Sequence, residues 1–530
     1  MIAKINGMAL QGMQALPVSI ETSLSRGVGA HVSGLADDSV KEGFERIRVA
    51  LLHNGFEMPR QRLLVNMTPA GIRKTGTAFD LPIALGILAV SGQVADLNKL
   101  TQYILVGEIG LDGAIHPVRG ALCMAAKILT AGFKGIILPH NNAADAATVK
   151  GIGVYGVRHI KEVIDFINAD IPLQPFTCPQ RDPVAEAAYG GPDFKEIRGQ
   201  GHVKRALEIA AAGGHHSLLI GSPGSGKSTL AKRLPSILPP MSEEELLETK
   251  QIYTVAGQLF PGNRIAMQRP FRSPHHSITQ VALIGGGTGA VPGEITLAHN
   301  GVLFLDEFSE LKQPVIEVLR RPLEEGRITI ARSKMTFEYP ASFTLVAAMN
   351  PCCCGYYLHP IRKCTCSRQG LRRFYHKLSG PILERIDLNI DVEPVPLDEL
   401  ATTHHREEAS ETIRKRVISA RSMQQQRFAD LNSIHCNAQL PDKDLERFCR
   451  PEDGALSFLL KKLKQQDYSA RAYTRVLKVA RTIADLASDQ QVRLAHIAEA
   501  LHYRSIDKPV ADKPSAKVTS ITSPGYPFAV

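Results

Sequence analysis

Eight consecutive residues, Gly221, Ser222, Pro223, Gly224, Ser225, Gly226, Lys227 and Ser228, meet every fixed position of the pattern G-x-x-x-x-G-K-[ST]. The apolar run Leu218-Leu219-Ile220 precedes them and Thr229-Leu230-Ala231-Lys232-Arg233-Leu234 follows, so the segment reads strand, loop, helix. Glycines let successive backbone N–H groups turn inward around a phosphate, and the N-terminus of the next helix adds its positive end. Lys227 is placed to reach the β- and γ-phosphates of a nucleotide, and the Ser228 hydroxyl to ligate Mg²⁺. The alternative, a glycine-rich turn before an ordinary helix, must match all fixed positions and both flanks by coincidence. The expected ligands are ATP and Mg²⁺.

At 530 residues the chain exceeds what one hydrophobic core serves, so about two to four domains are expected. Apolar residues make up 44% and charged residues 22%, the balance of a water-soluble globular protein. No apolar run reaches membrane-spanning length; the best candidate, residues 81–90, reads as a buried helix, and no membrane association is expected. The first residues lack a signal-peptide core, which makes the cytoplasm the expected location. A formal charge of +10 suits a polyanion-binding protein and serves solubility equally well.

Residues 1–172 form a first, α+β unit: 18–23, 62–66, 104–109 and 135–138 have strand character, and 38–54 and 80–91 have helical apolar spacing. Residues 173–193 are rich in Pro, Gly and Ala and read as a linker. An α/β unit follows over 194–395, then a helical unit over 396–508 and a disordered tail over 509–530.

About eighty residues after Lys227, the run Val302-Leu303-Phe304-Leu305 ends in Asp306-Glu307. Four apolar residues make a buried parallel strand, and ligands bind at the C-terminal ends of such strands. Asp306 is placed to hold the Mg²⁺ shell and Glu307 to orient and polarise an attacking water. A third apolar strand, 343–348, ends in Met349-Asn350; Asn350 can hydrogen-bond the lytic water or γ-phosphate, or simply open a turn before Pro351. Arg385 ends an amphipathic stretch before a strand, where it is either a surface charge or a phosphate-binding fork supplied to a neighbouring subunit. Arg471, in the helical region, is a second arginine placed to close a lid over the nucleotide.

The order Lys227, Asp306-Glu307, Asn350, Arg385, Arg471 resembles Walker A, Walker B, sensor 1, arginine finger and sensor 2 of an AAA+ ATPase. The stretches Arg269-Pro270-Phe271-Arg272-Ser273-Pro274-His275-His276, Gly293-Glu294-Ile295-Thr296-Leu297-Ala298-His299-Asn300 and Leu319-Arg320-Arg321-Pro322-Leu323-Glu324-Glu325-Gly326 are more selective. With them the chain resembles the bacterial magnesium-chelatase-like ATPases of the ComM/YifB type over nearly its whole length except the tail. The resemblance implies an α/β AAA+ P-loop module with a helical lid, preceded by a Lon-protease-like domain of ribosomal S5 type. It further implies a homo-hexameric ring that hydrolyses ATP and drives branch migration of DNA as a helicase. The alternative keeps the motor and changes the cargo to a partner protein, as in magnesium chelatase.

Three further features bear on this reading. Residues 326–339 alternate apolar positions on two arms, with Arg332-Ser333-Lys334 at the turn, which predicts a β-hairpin; Arg332 and Lys334 at its tip either grip a phosphate backbone or are simply solvated. In the Lon-like alignment Ala78 and Leu122 stand where a Ser–Lys dyad would be, and Lys127 lies about a helical turn beyond. Thr77 has no base placed for it, so the domain reads as a scaffold or a DNA-contacting collar. Of nine cysteines, five cluster between Cys352 and Cys366. Cys352, Cys354, Cys364 and Cys366 form C-x-C pairs that can wrap a tetrahedral zinc or remain reduced thiols, with Cys353 adding ambiguity.

Overall fold

The computed structural model describes residues 2–94, 97–168, 171–177, 191–258, 268–287, 290–332, 335–357, 359–377, 380–395, 407–431, 434–466 and 468–504. At its centre five parallel strands lie in the order Phe271–Arg272, Val302–Leu305, Thr344–Met349, Ser217–Gly221 and Leu388–Val392. The three inner strands are short apolar runs, as strands covered on both faces require, whereas the outer strand Leu388–Val392 alternates apolar residues with Asn389 and Asp391. Because side chains alternate across a strand, odd and even positions serve different cores. Leu219, Phe304, Val346, Ala348 and Ile390 pack with the helices Gly201–Gly213, Ser410–Arg427 and Ala470–Leu486. Leu218, Ile220, Leu303, Leu305 and Ala347 face the opposite way, into a core shared with the N-terminal unit.

That N-terminal unit pairs the long strands Ile2–Gln11 and Gln14–Ser25, then Arg62–Thr68 and Ala30–Ser33, in one four-stranded sheet. The expected strands and helices are present; the first strand, Ile2–Gln11, was missed. The helix Asp80–Val90 is buried at all eleven positions, which accounts for its apolarity without any membrane. The expected strand over 104–109 divides into Tyr103–Leu105 and Glu108–Ile109. The unit docks through the helix Ala121–Ala131 against Glu243–Val255, with Gly120 N donating to Thr254 O at 3.2 Å. Leu122 is fully buried in this interface core. The Thr77 hydroxyl donates to the Glu108 carboxylate, a partner that sequence reasoning did not supply.

The predicted hairpin is formed by Arg327–Arg332 and Met335–Pro340, with Ile328 opposite Tyr339 and Ile330 opposite Phe337. Its apolar face is rooted in the molecule. Tyr339 donates to Ala290 O at 2.6 Å, and a methyl group on Gly12 would stand 3.2 Å from the Phe337 ring. Lys334 lies outside the described residues, and so does the side chain of Arg332. Most of the expected linker and the whole tail also lie outside them. The linker's flanks are anchored, Phe176 N donating to Val154 O at 2.7 Å and the Asp193 carboxylate accepting from Ser410 N at 2.9 Å.

Where the helical unit meets the sheet edge, Asp387 is buried among His215, His216 and Arg475. Burial favours the neutral acid, yet Arg475, 2.9 Å away, and the two histidines hold its carboxyl well below the usual range. His216 Nδ1 accepts from Leu345 N at 3.1 Å, which requires an unprotonated nitrogen. Burial lowers its pKa to about 4, with Arg475 and His215 acting the same way and Asp387 opposing. The unfolded chain therefore takes up a proton first as pH falls. The contribution of His216 is complete above about 6.5 and is lost as pH drops toward about 4. Thermal unfolding across this window should lose up to about 3 kcal/mol from this residue. His216→Asn, which keeps an acceptor and does not titrate, should flatten the profile.

Candidate functional site

The strand Ser217–Gly221 delivers the glycine-rich loop to the C-terminal edge of the sheet. Gly224 and Gly226 adopt φ values of +82° and +90°, a region that side chains with a Cβ disfavour, so the loop curls back over the strand end. The following helix, Lys227–Ala231, is only five residues long and gives way to Leu234–Ile237 at Pro235; it is shorter than the sequence suggested. Lys227 Nζ donates to Gly221 O at 2.7 Å and Ser222 O at 2.9 Å, closing the loop on itself. Burial lowers the pKa of this lysine, and Asp306 opposes the shift. Among the described residues, the buried hydroxyls of Ser222 and Ser225 have no hydrogen-bond partner, the condition of a cradle built for a polar guest.

The neighbouring strands bring the other expected groups to the same edge. Ser228 Oγ donates to Asp306 Oδ2 at 2.5 Å, although the two residues stand two strands apart. A hydroxyl and a carboxylate in contact are hard oxygen donors of the kind Mg²⁺ takes. Asn350, at the end of the intervening strand Thr344–Met349, accepts from Lys227 Nζ at 3.3 Å. Glu307 sits at φ +49°, a conformation that turns the chain sharply after the strand and leaves its side chain half exposed. Its Oε2 lies 2.7 Å from His276 Nδ1. In the sequence His275 and His276 stand out only as the end of the stretch 269–276; the structure puts His276 directly on the candidate catalytic carboxylate. The signal existed only in three dimensions, because His276 follows the edge strand Phe271–Arg272 beside the strand of Glu307.

Arg385 and Arg471 are elsewhere. Arg385 precedes Leu388–Val392, whose Leu388 pairs with Ser217 and whose Val392 pairs with Gly221. It therefore lies off the N-terminal edge, about a strand length, roughly 15 Å, from the loop. It is 5% exposed and paired with Glu324. Arg471 lies beside it, 3.1 Å from Glu384, and both arginines line a cavity of about 800 Å³ with Glu324, Glu384 and Arg475. The expected closure of Arg471 over its own chain's nucleotide is not the arrangement found.

Cys352, Cys354, Cys364 and Cys366 converge, with all four sulfurs within 4.8 Å of one another, whereas Cys353 is exposed. Backbone N–H groups of Tyr356 and Thr365 pull the Cys354 thiol down to about 5, while burial pushes Cys352 up to about 12. Burial also pushes the isolated Cys123 and Cys449 up to about 12. Once chelator has stripped any bound metal, iodoacetamide at neutral pH should alkylate Cys354 well before Cys123 or Cys449, as read by peptide mass spectrometry.

Three family models match in series. Residues 20–142 match "Subunit ChlI of Mg-chelatase", 193–400 "Magnesium chelatase, subunit ChlI", and 407–504 "Magnesium chelatase, subunit ChlI C-terminal". The chain is 42% identical over 514 residues to the competence protein ComM of Haemophilus influenzae, covering 95% of this chain and 98% of that protein. It is 40% identical over 510 residues to the uncharacterized protein YifB of Salmonella typhimurium, covering 96% and 98%. The 38 kDa magnesium-chelatase subunit of Rhodobacter capsulatus is 26% identical over 177 residues, 30% of this chain and 50% of that subunit. A parallel sheet carrying the Lys227, Ser228, Asp306 and Asn350 constellation, in a chain with these likenesses along its length, belongs to the ComM/YifB family of magnesium-chelatase-like proteins.

Proposed function

We propose that this chain is an ATP-hydrolysing AAA+ motor that works as a homo-hexameric ring on DNA and drives branch migration as a helicase. The observation that carries the reading is the division of labour between the two edges of one sheet. Lys227, Ser228, Asp306, Glu307 and Asn350 meet at one edge, while Arg385 and Arg471 stand together at the other. A chain built this way supports hydrolysis only when another copy presents its arginines to the loop, and a head-to-tail contact that closes makes a ring. Six subunits come from the family likeness.

On binding triphosphate, Lys227 exchanges the Gly221 and Ser222 carbonyls for phosphate oxygens, and the Ser222 and Ser225 hydroxyls gain partners. Ser228 and Asp306 would hold Mg²⁺, which neutralises phosphate charge. Glu307 orients the attacking water once His276 releases it, and Asn350 positions that water or the γ-phosphate. The neighbour's Arg385 then stabilises charge on the transferring group, with Arg471 alongside it. DNA as cargo is supported by the charge of +10, by the hairpin that carries Arg332 and Lys334, and by the likeness to a competence protein. Remodelling of a partner protein is the second reading, supported by the partial likeness to the chelatase subunit.

Lys227→Ala should abolish nucleotide binding. Glu307→Gln should keep binding and lower turnover by at least about 100-fold. Arg385→Ala and Lys227→Ala proteins, each inactive, should recover part of their turnover when mixed, since each repairs the other's defect across an interface. Branched DNA should raise wild-type turnover, with affinity falling steeply in salt. A monomer whose turnover ignores polynucleotides overturns the reading, and stimulation by a protein client alone favours the second.

A further inference from the structure

The four-cysteine cluster stands directly behind the nucleotide loop. Cys352 Sγ is 3.3 Å from Cys354 Sγ and 3.7 Å from Cys364 Sγ, and the last two are 3.5 Å apart. A tetrahedron with Zn–S bonds of about 2.3 Å has sulfur–sulfur edges of roughly 3.8 Å, so the donors already stand near the required spacing. An all-thiolate set of this shape selects zinc over the hard cations that suit oxygen ligands. Arg362 and Lys363, between the two C-x-C pairs, offset part of the thiolate charge.

The turn that carries the cluster is also a wall of the nucleotide site. Pro351 and Cys352 continue the strand Thr344–Met349 past Asn350, which accepts from Lys227. Tyr375 Oη donates to Pro351 O at 3.0 Å and fixes the start of the turn. Gly355, at φ +83°, donates to Cys352 O at 3.0 Å and lies flat against the loop. A Cβ at this position would stand 2.8 Å from Pro223 Cδ and 2.9 Å from Cγ, so only glycine lets the cysteine turn meet the proline ring. Pro223 is the third residue of the phosphate-binding pattern.

We infer that Cys352, Cys354, Cys364 and Cys366 hold one structural zinc ion, and that the zinc-closed turn braces Pro223 so that metal occupancy sets the affinity of the loop for nucleotide. The inference rests on the reading of residues 221–228 as an ATP site. Zinc binding displaces the thiol protons to solvent and cross-links both ends of the turn. Without that cross-link Gly355 no longer holds the proline ring, and the loop must be ordered by the nucleotide itself, which weakens binding. Linkage makes the effect reciprocal: bound nucleotide tightens zinc by the same factor.

Full-length protein purified without chelator should contain one zinc per chain by plasma mass spectrometry. A fluorescent ATP analogue with Mg²⁺ should bind at least about tenfold more weakly after a competing chelator has removed the zinc, with helix content followed by circular dichroism. Chelator competition should show zinc affinity rising by the same factor when a non-hydrolysable ATP analogue is present. This second measurement starts from the metal-loaded fold and decides the matter if the stripped chain unfolds. Pro223→Ala leaves the cysteines in place and should retain one zinc while losing the linkage. A zinc ratio near zero overturns the metal site. One zinc per chain with no linkage to nucleotide overturns the brace alone, and metal-loaded protein that binds no nucleotide overturns the ATP-site reading beneath it.

Discussion

Burial of both faces of the central parallel sheet is the constraint from which the other arrangements follow. A strand with no wet face contributes an apolar residue at every position, and the two cores it feeds must come from different parts of the chain. Here the even and odd residues of Val302–Leu305 and Thr344–Met349 divide between the C-terminal helices and the N-terminal unit. Neither flanking unit is an appendage: each closes one side of the layer on which the glycine-rich loop is mounted. The hairpin is rooted by the same principle, since Ile328, Ile330 and Tyr339 are buried beneath it.

Polar chemistry is confined to the ends of the strands, and the ends differ. At the C-terminal edge the groups gather around the glycine-rich loop: a lysine held by carbonyls, a serine held by an aspartate, and two loop hydroxyls without partners among the described residues. At the N-terminal edge the arginines are already neutralised by Glu324 and Glu384, and Asp387 ties that edge to the helix Ala470–Leu486 through Arg475. Parallel strands turn this difference into distance, because their two ends cannot approach one another within a chain.

Residues whose partners are set by strand order were legible in the sequence. Asp306 and Asn350 each sit at the first polar position after an apolar run, Ser228 follows the glycine-rich loop that ends another, and in a parallel sheet such strand ends share an edge. The hairpin was legible for a similar reason, because period-two alternation on two arms has a single consistent pairing. Contacts made by loops were not. His276 on Glu307, Glu108 on Thr77 and Gly355 on Pro223 join segments separated in sequence by an amount no periodicity encodes. Arg471 was assigned a role by order along the chain, and order does not say which edge of a sheet a helix caps. The strand Ile2–Gln11 is not legible in the sequence because Lys4, Asn6 and Gly7 interrupt its apolar residues; it is held in place by ten consecutive pairings with Gln14–Ser25.

Arg385 in the single chain already has an anion, the Glu324 carboxylate. Glu324 belongs to the short helix Arg320–Glu325, which runs through Gly326 into the first arm of the hairpin. If another subunit's phosphate takes the guanidinium, as proposed above, one acceptor would replace another with little change in charge, and the root of that arm would lose its tie to Arg385. Chemistry at one protomer's site and the stance of its neighbour's hairpin would then be two ends of a single latch.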